Sequence, residues 1–212
     1  MGLGTQIIAS CEAGYRSVNK YADTERSIAL VLIFTPLILA FADPDSERFF
    51  RDSISNYVYM EKSYWYGSLL ALAGALFVFN GAKHMQGYRL QQQMGGGVNT
   101  SERFGRGYNI VFGLALFGVI YLPHLAYPVL HFSFAGIFYL GCAVAMIWAP
   151  RSELKHLGRV LGIGTLIALA LYFALEYWLL PGANPYTLLW AEWVGLVLIA
   201  LFFVADSFFL EH

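Results

Sequence analysis

Residues 187–209 read Thr-Leu-Leu-Trp-Ala-Glu-Trp-Val-Gly-Leu-Val-Leu-Ile-Ala-Leu-Phe-Phe-Val-Ala-Asp-Ser-Phe-Phe, interrupted by only two charges, Glu192 and Asp206. About 20 such residues, wound as an α-helix, cross the roughly 30 Å hydrocarbon layer of a bilayer. The rest of the chain repeats the pattern. Apolar stretches lie at about Ser27–Ala42, Tyr64–Ala82, Tyr108–Leu122, Pro128–Ala149 and Leu157–Leu180. The chain is 58% hydrophobic and 13% charged, about half the charge of a soluble domain, which leaves too little polar surface to cover a water-soluble globule. The fold expected is therefore all-α, an integral membrane bundle of six transmembrane helices over residues 27–209. The first span carries Pro36, and the first and third are short, so either flanking residues lengthen these helices or the membrane thins around them.

Basic residues set the expected orientation. Ten lie in the N-terminal segment, the second loop and the fourth loop, and three (Arg48, Arg51, Lys62) lie on the opposite side. This predicts cytoplasmic termini (N-in/C-in) in a cell membrane, inner or plasma. Residues 1–26 would form a cytoplasmic segment with no cleavable signal peptide. A Gly-rich cytoplasmic loop would occupy about 84–106, flexible by composition at Gln91–Gly97. Residues 210–212 read as a tag remnant. A net charge of −1 argues against a nucleic-acid partner. No Walker motif is present, and no span carries a lysine for a Schiff base. Cys11 and Cys142 have no metal-ligand spacing, and Cys142 reads as a small core residue.

Ionisable residues inside spans are few, and each is a candidate functional residue. His131, Glu176 and Glu192 fall at a similar depth below the outer surface, with His124 above them. The polar loop residues Asp52, Ser53, Ser55 and Asn56 could close this cluster, or simply cap a helix leading into the second span. The cluster admits structural pairing, lipid-headgroup binding, or a metal site. For the last, His124, His131 and Glu192 would be the ligands and zinc the candidate ion, although no HxxxH, HExxH or HxxE spacing occurs and no cofactor is otherwise expected. Asp206, His84 and His156 read as interfacial. Four tryptophans (Trp65, Trp178, Trp190, Trp193) lie on the outer side, where an aromatic belt is expected. Gly67, Gly74, Gly81, Gly158 and Gly162 mark close helix contacts, within the chain or in a homo-oligomer.

Three stretches together carry a family resemblance: Asp52-Ser53-Ile54-Ser55-Asn56-Tyr57 before the second span, His131-Phe132-Ser133-Phe134-Ala135-Gly136-Ile137-Phe138-Tyr139 opening the fourth, and Ala191-Glu192-Trp193 opening the sixth. In this order the chain resembles the six-span Frag1/DRAM/Sfk1 group and the related DUF998 membrane proteins. The first loop departs from that pattern, continuing Tyr57-Val58-Tyr59 where the group has a Gly or Pro-Glu element. The resemblance implies a membrane-lipid partner and supplies no catalytic residues. The function expected is lipid-headgroup handling, with a metal-assisted lipid hydrolase and a non-enzymatic oligomeric scaffold as alternatives.

Overall fold

A computed structural model describes residues 3–44, 48–93, 107–149 and 152–210, with side chains described within 22–44, 48–86, 107–149 and 152–208. Its α-helices are α1 (Leu3–Ala42), α2 (Tyr64–Gln93), α3 (Tyr108–Tyr121), α4 (Pro128–Ile147), α5 (Lys155–Ala174) and α6 (Leu188–Leu210), and the described residues contain no strand. Five helices are long and apolar enough to cross a membrane: Ala22–Ala42, Tyr64–Gln86, Pro128–Ile147, Lys155–Leu179 and Leu188–Phe208. Apolar side chains also cover the outside of the bundle, where Leu114, Val129, Val160 and Ile167 are all exposed. A protein that is oily on both its inner and outer faces belongs in lipid.

The first span is longer than its apolar run. α1 continues without a break through residue 26, where the sequence had suggested a boundary. α3 does not lengthen: its 14 residues span about 21 Å at 1.5 Å per residue, short of the hydrocarbon thickness. α2 runs on to Gln93, so the first ten residues of the expected 84–106 loop are helical. Residues 94–106, 211 and 212 and the side chain of Cys11 lie outside the described residues.

Each helix packs against its neighbours in sequence, and α6 closes the ring on α1. In the middle, Phe77 of α2 meets Phe138 of α4 and Phe203 of α6 edge to face, with ring centroids 5.5 and 5.3 Å apart. Glycines set the closest approaches. A Cβ on Gly113 would stand 2.4 Å from the Gly74 carbonyl, one on Gly158 2.3 Å from the Met146 carbonyl, and one on Gly162 2.6 Å from the Ala143 carbonyl. Gly74, Gly158 and Gly162 are thus used within the chain, while Gly67 meets nothing within 4 Å. Beyond α5, Pro181-Gly182 makes a tight turn in which the Ala183 N–H donates to the Leu180 carbonyl (3.0 Å). Gly182 takes the positive φ of 71° that this turn needs.

At the end of the bundle bearing the termini, the structure corrects the interfacial reading of Asp206. Asp206 and Glu25 are both fully buried. His84 Nε2 lies 3.5 Å from Glu25 Oε1, the Lys83 ammonium donates to Thr24 Oγ1 (3.4 Å), and Arg26 Nε donates to Ser207 Oγ (3.3 Å). A buried Asn109–Asn80 hydrogen bond (2.7 Å) joins α3 to α2 nearby. His156 is exposed, as expected.

Candidate functional site

The opposite end is organised by the loop between α1 and α2, described at 43–44 and 48–63. Arg51 holds the buried Asp43 carboxylate in a fork, through Nε (2.5 Å) and Nη2 (3.1 Å). The Arg51 N–H donates to the Tyr57 hydroxyl (3.3 Å), and Tyr57 is fully buried. Ile54–Tyr59 wind into a 3₁₀ turn whose N-cap is Ser53, its Oγ accepting from the Asn56 N–H at 3.2 Å. A helix start leaves backbone N–H groups without partners, and here α6 supplies another one. Glu192 Oε2 accepts from the Ile54 N–H (2.7 Å). In return the Leu189 N–H, in the first turn of α6, donates to the Asp52 carbonyl (2.7 Å). Loop and helix therefore satisfy each other's exposed termini.

An aromatic cluster covers this clasp. Trp190 and Trp193 stack at 5.5 Å, and Phe50 packs against both. The Trp193 indole N–H donates to the Ile33 carbonyl (3.1 Å), in the turn of α1 that Pro36 deprives of an N–H donor. Trp193 thus serves internal packing, whereas Trp190, Trp178 and Trp65 are exposed, as belt residues should be.

Of the proposed polar cluster, the structure assembles a part. His131 is buried at the start of α4, with Nδ1 2.7 Å from the Leu122 carbonyl at the C-terminus of α3. Its partner is a helix end and not a carboxylate. The His124 ring lies 5.5 Å from that of His131 and 5.3 Å from that of Tyr59. Glu192 and His131 line two cavities in common. The smaller, about 50 Å³, is deep in the bundle beside Thr35, Ser55 and Tyr66. Ser53 Oγ lies 3.0 Å from Ser55 Oγ at its edge. It is large enough for water and polar enough to hold it. Asp52 is exposed and pairs with Arg48 (3.4 Å).

The larger cavity, about 660 Å³, opens between α4, α5 and α6. It follows from the glycine contacts. α4 and α5 touch backbone to backbone at Gly158 and Gly162, then diverge, so that a Cβ on Gly136 would meet nothing within 4 Å. Ala135, Gly136 and Leu140 form the α4 wall, Leu166, Leu169 and Ala170 the α5 wall, and Leu188 and Glu192 the α6 wall. Tyr139, Tyr172 and Tyr177 add hydroxyls. Several wall residues, among them Phe132, Leu140 and Phe173, also belong to the outer surface of the bundle, so the cavity faces lipid sideways. Sequence reading had not assigned Gly136, Tyr139 or Tyr172 to a site, although Gly136 and Tyr139 lie in the stretch that opens the fourth span. Only their spacing from His131 and Glu176 along the same helices pointed to them.

Glu176 does not join. It sits in a π-helical turn, Leu175–Leu179, at the end of α5, outside both cavity walls. The zinc alternative is not assembled either: among the described residues no group of three His, Cys, Asp or Glu could hold a metal ion. His131 Nδ1 and Glu192 Oε2 already face backbone partners.

Burial holds the His124 imidazole below its ordinary value near 6.5. Its Nδ1 is buried without a hydrogen-bond partner among the described residues, so the neutral form is the one the fold accepts. The unfolded chain then takes up a proton at higher pH than the folded one. His124 therefore leaves stability untouched above about pH 6.5 and lowers it as the pH falls through that value, levelling off below the folded pKa. Melting curves of the purified protein across this range should show the decline, and His124→Phe should flatten it relative to the parent.

No curated protein and no solved structure matches the chain. One family profile does, over residues 34–207, and nothing in that match links the chain to the Frag1/DRAM/Sfk1 group or to DUF998. The matched stretch includes the loop after α1, the larger cavity, α2 to α5 and all but the last three residues of α6, and on that extent the chain belongs to DUF7103, a family of unknown function.

Proposed function

We propose that this protein binds a membrane lipid in the cavity between α4, α5 and α6, as a six-span protein with both termini in the cytoplasm. The ten-to-three distribution of basic residues supports the orientation. The shorter α3, flanked by Gly107 and Leu122, counts as the sixth span because local thinning of the membrane accommodates a short helix. The observation that carries the lipid reading is a cavity of about 660 Å³ that faces the hydrocarbon sideways and holds a carboxyl and an imidazole in an apolar, aromatic wall. Apolar pockets of a few hundred cubic ångströms with a few convergent polar groups are the usual form of a small-ligand site. Polar groups at membrane depth are costly unless they serve a purpose or find partners.

Gly136→Phe tests this directly. The first carbon of the new side chain meets nothing within 4 Å and Gly136 lines the cavity, so the variant should fold and melt like the parent. Native mass spectrometry of protein released from detergent should show bound lipid on the parent and its loss from the variant. Equal lipid retention by both would refute the site.

A further inference from the structure

We infer that the cavity takes a single-chain lipid whose head is a hydrogen-bond donor without negative charge, a hydroxyl or an amine. This rests on the lipid-binding reading above and narrows it to a ligand class. Three observations carry it.

The first is size. At about 30 Å³ per water-sized group, a cavity of 660 Å³ accommodates on the order of twenty non-hydrogen atoms. That is one alkyl chain with a small head. A phospholipid with two chains has more than twice as many atoms, so most of it would have to lie outside the opening.

The second is charge. Among the described residues lining the cavity, none is Lys or Arg. Of the three basic residues on this side, Arg51 grips Asp43, Arg48 pairs with Asp52, and Lys62 is not part of the cavity wall. A phosphate or carboxylate head would enter an apolar site with no counter-charge, and an unpaired charge taken out of water is costly.

The third is hydrogen-bonding direction. Glu192 Oε2 accepts from the Ile54 N–H, and Oε1 makes no hydrogen bond among the described residues, so the carboxyl offers the cavity a free oxygen. Tyr139 gives its own proton to the Glu192 backbone carbonyl (3.4 Å), and the tyrosine oxygen is left as a further acceptor. A ligand that brings an O–H or N–H satisfies both, and one that brings only lone pairs leaves both unmet and has only the Tyr172 and Tyr177 hydroxyls to pair with. The Glu192 carboxyl lies in the first turns of α6, below the loop clasp, which places the head at the closed inner wall and the chain toward the lateral opening.

The test uses four probes with the same sixteen-carbon chain: hexadecanol, hexadecylamine, hexadecyl phosphate and palmitate. Each competes for the full-length protein in detergent against a fluorescent single-chain lipid. Hexadecanol or hexadecylamine should displace the reporter at concentrations at least tenfold lower than the phosphate or the carboxylate. Whichever of the two binds more tightly identifies hydroxyl or amine as the natural head. Glu192→Gln replaces the free oxygen side with an amide that can donate, and should shrink that preference severalfold. Because Glu192 also holds the loop, the parent's probe ranking decides the question if the variant does not fold. Equal or tighter binding of the phosphate or palmitate overturns the ligand class while leaving lipid binding intact. Saturable binding of none of the four, with no difference between parent and Gly136→Phe, removes the lipid site itself.

Discussion

Arg51→Ala should lower the melting temperature of the detergent-purified protein by roughly 10 °C. The Asp43 side chain beside it is almost completely buried, and the Arg51 guanidinium is its fork-shaped partner. Removing one member of a buried pair leaves an uncompensated charge, which costs about 3–5 kcal/mol. A protein of this size melts about 2–4 °C lower per kcal/mol lost. The same guanidinium lies over the Tyr57 ring, 5.8 Å from its centroid, so the packing of the 3₁₀ turn should loosen too. Replacing both partners with apolar residues, Arg51→Met with Asp43→Leu, removes the stranded charge, and most of the loss should be recovered. If the single variant melts within about 2 °C of the parent, the Arg51–Asp43 pair is not what holds this loop.

Gly158→Leu should be comparably severe, by a different route. The obstacle to its first side-chain carbon is the Met146 carbonyl at 2.3 Å, part of a helix backbone that cannot rotate away, with the Phe202 ring 3.2 Å beyond. Overpacking a tight contact costs about 1–3 kcal/mol and more when backbone must move. α4 and α5 would have to separate where their backbones come closest. The larger cavity between α4, α5 and α6 would change shape, so lipid retention and melting temperature should fall together. Gly136→Ala is the control. Its methyl group meets nothing, and alanine is favoured over glycine in a helix by about 1 kcal/mol. The melting temperature should hold or rise slightly. Equal behaviour of the two variants would show that the glycine contact does not set the helix spacing.

These contrasts show what was readable along the chain. The second, fourth and sixth helices start within a residue or so of the apolar boundaries, because desolvation of a helix in lipid depends on local composition. Ser53 as a cap was readable from residue type. Glu25 was readable but overlooked. It lies on one helical stripe with the buried Ile28, Ala29 and Leu32, a spacing of three and four residues that continues the first span upstream of its apolar run. Asp206 follows the same logic on α6, three residues after the buried Phe203.

Other features had no local signature. Depth alone put Glu176 beside Glu192, since both lie about a turn from a helix end. Each residue of an α-helix rotates the face by about 100°, and the π-helical turn at Leu175–Leu179 shifts that register, so Glu176 does not reach the cavity wall. The partner of His131, a carbonyl nine residues earlier, depends on how the chain folds back between α3 and α4.

By itself, the amino-acid order determined that this chain is a helical membrane protein and where most of its helices cross, because transfer of a segment into lipid is a sum over its own residues. Only the tertiary structure decided that the helices close a ring, that two glycines pull α4 and α5 together so that a cavity opens beyond them, and that Glu192 and His131 share its wall. Those outcomes depend on backbone approach and on which face each helix presents to the next, and these are properties of pairs of helices.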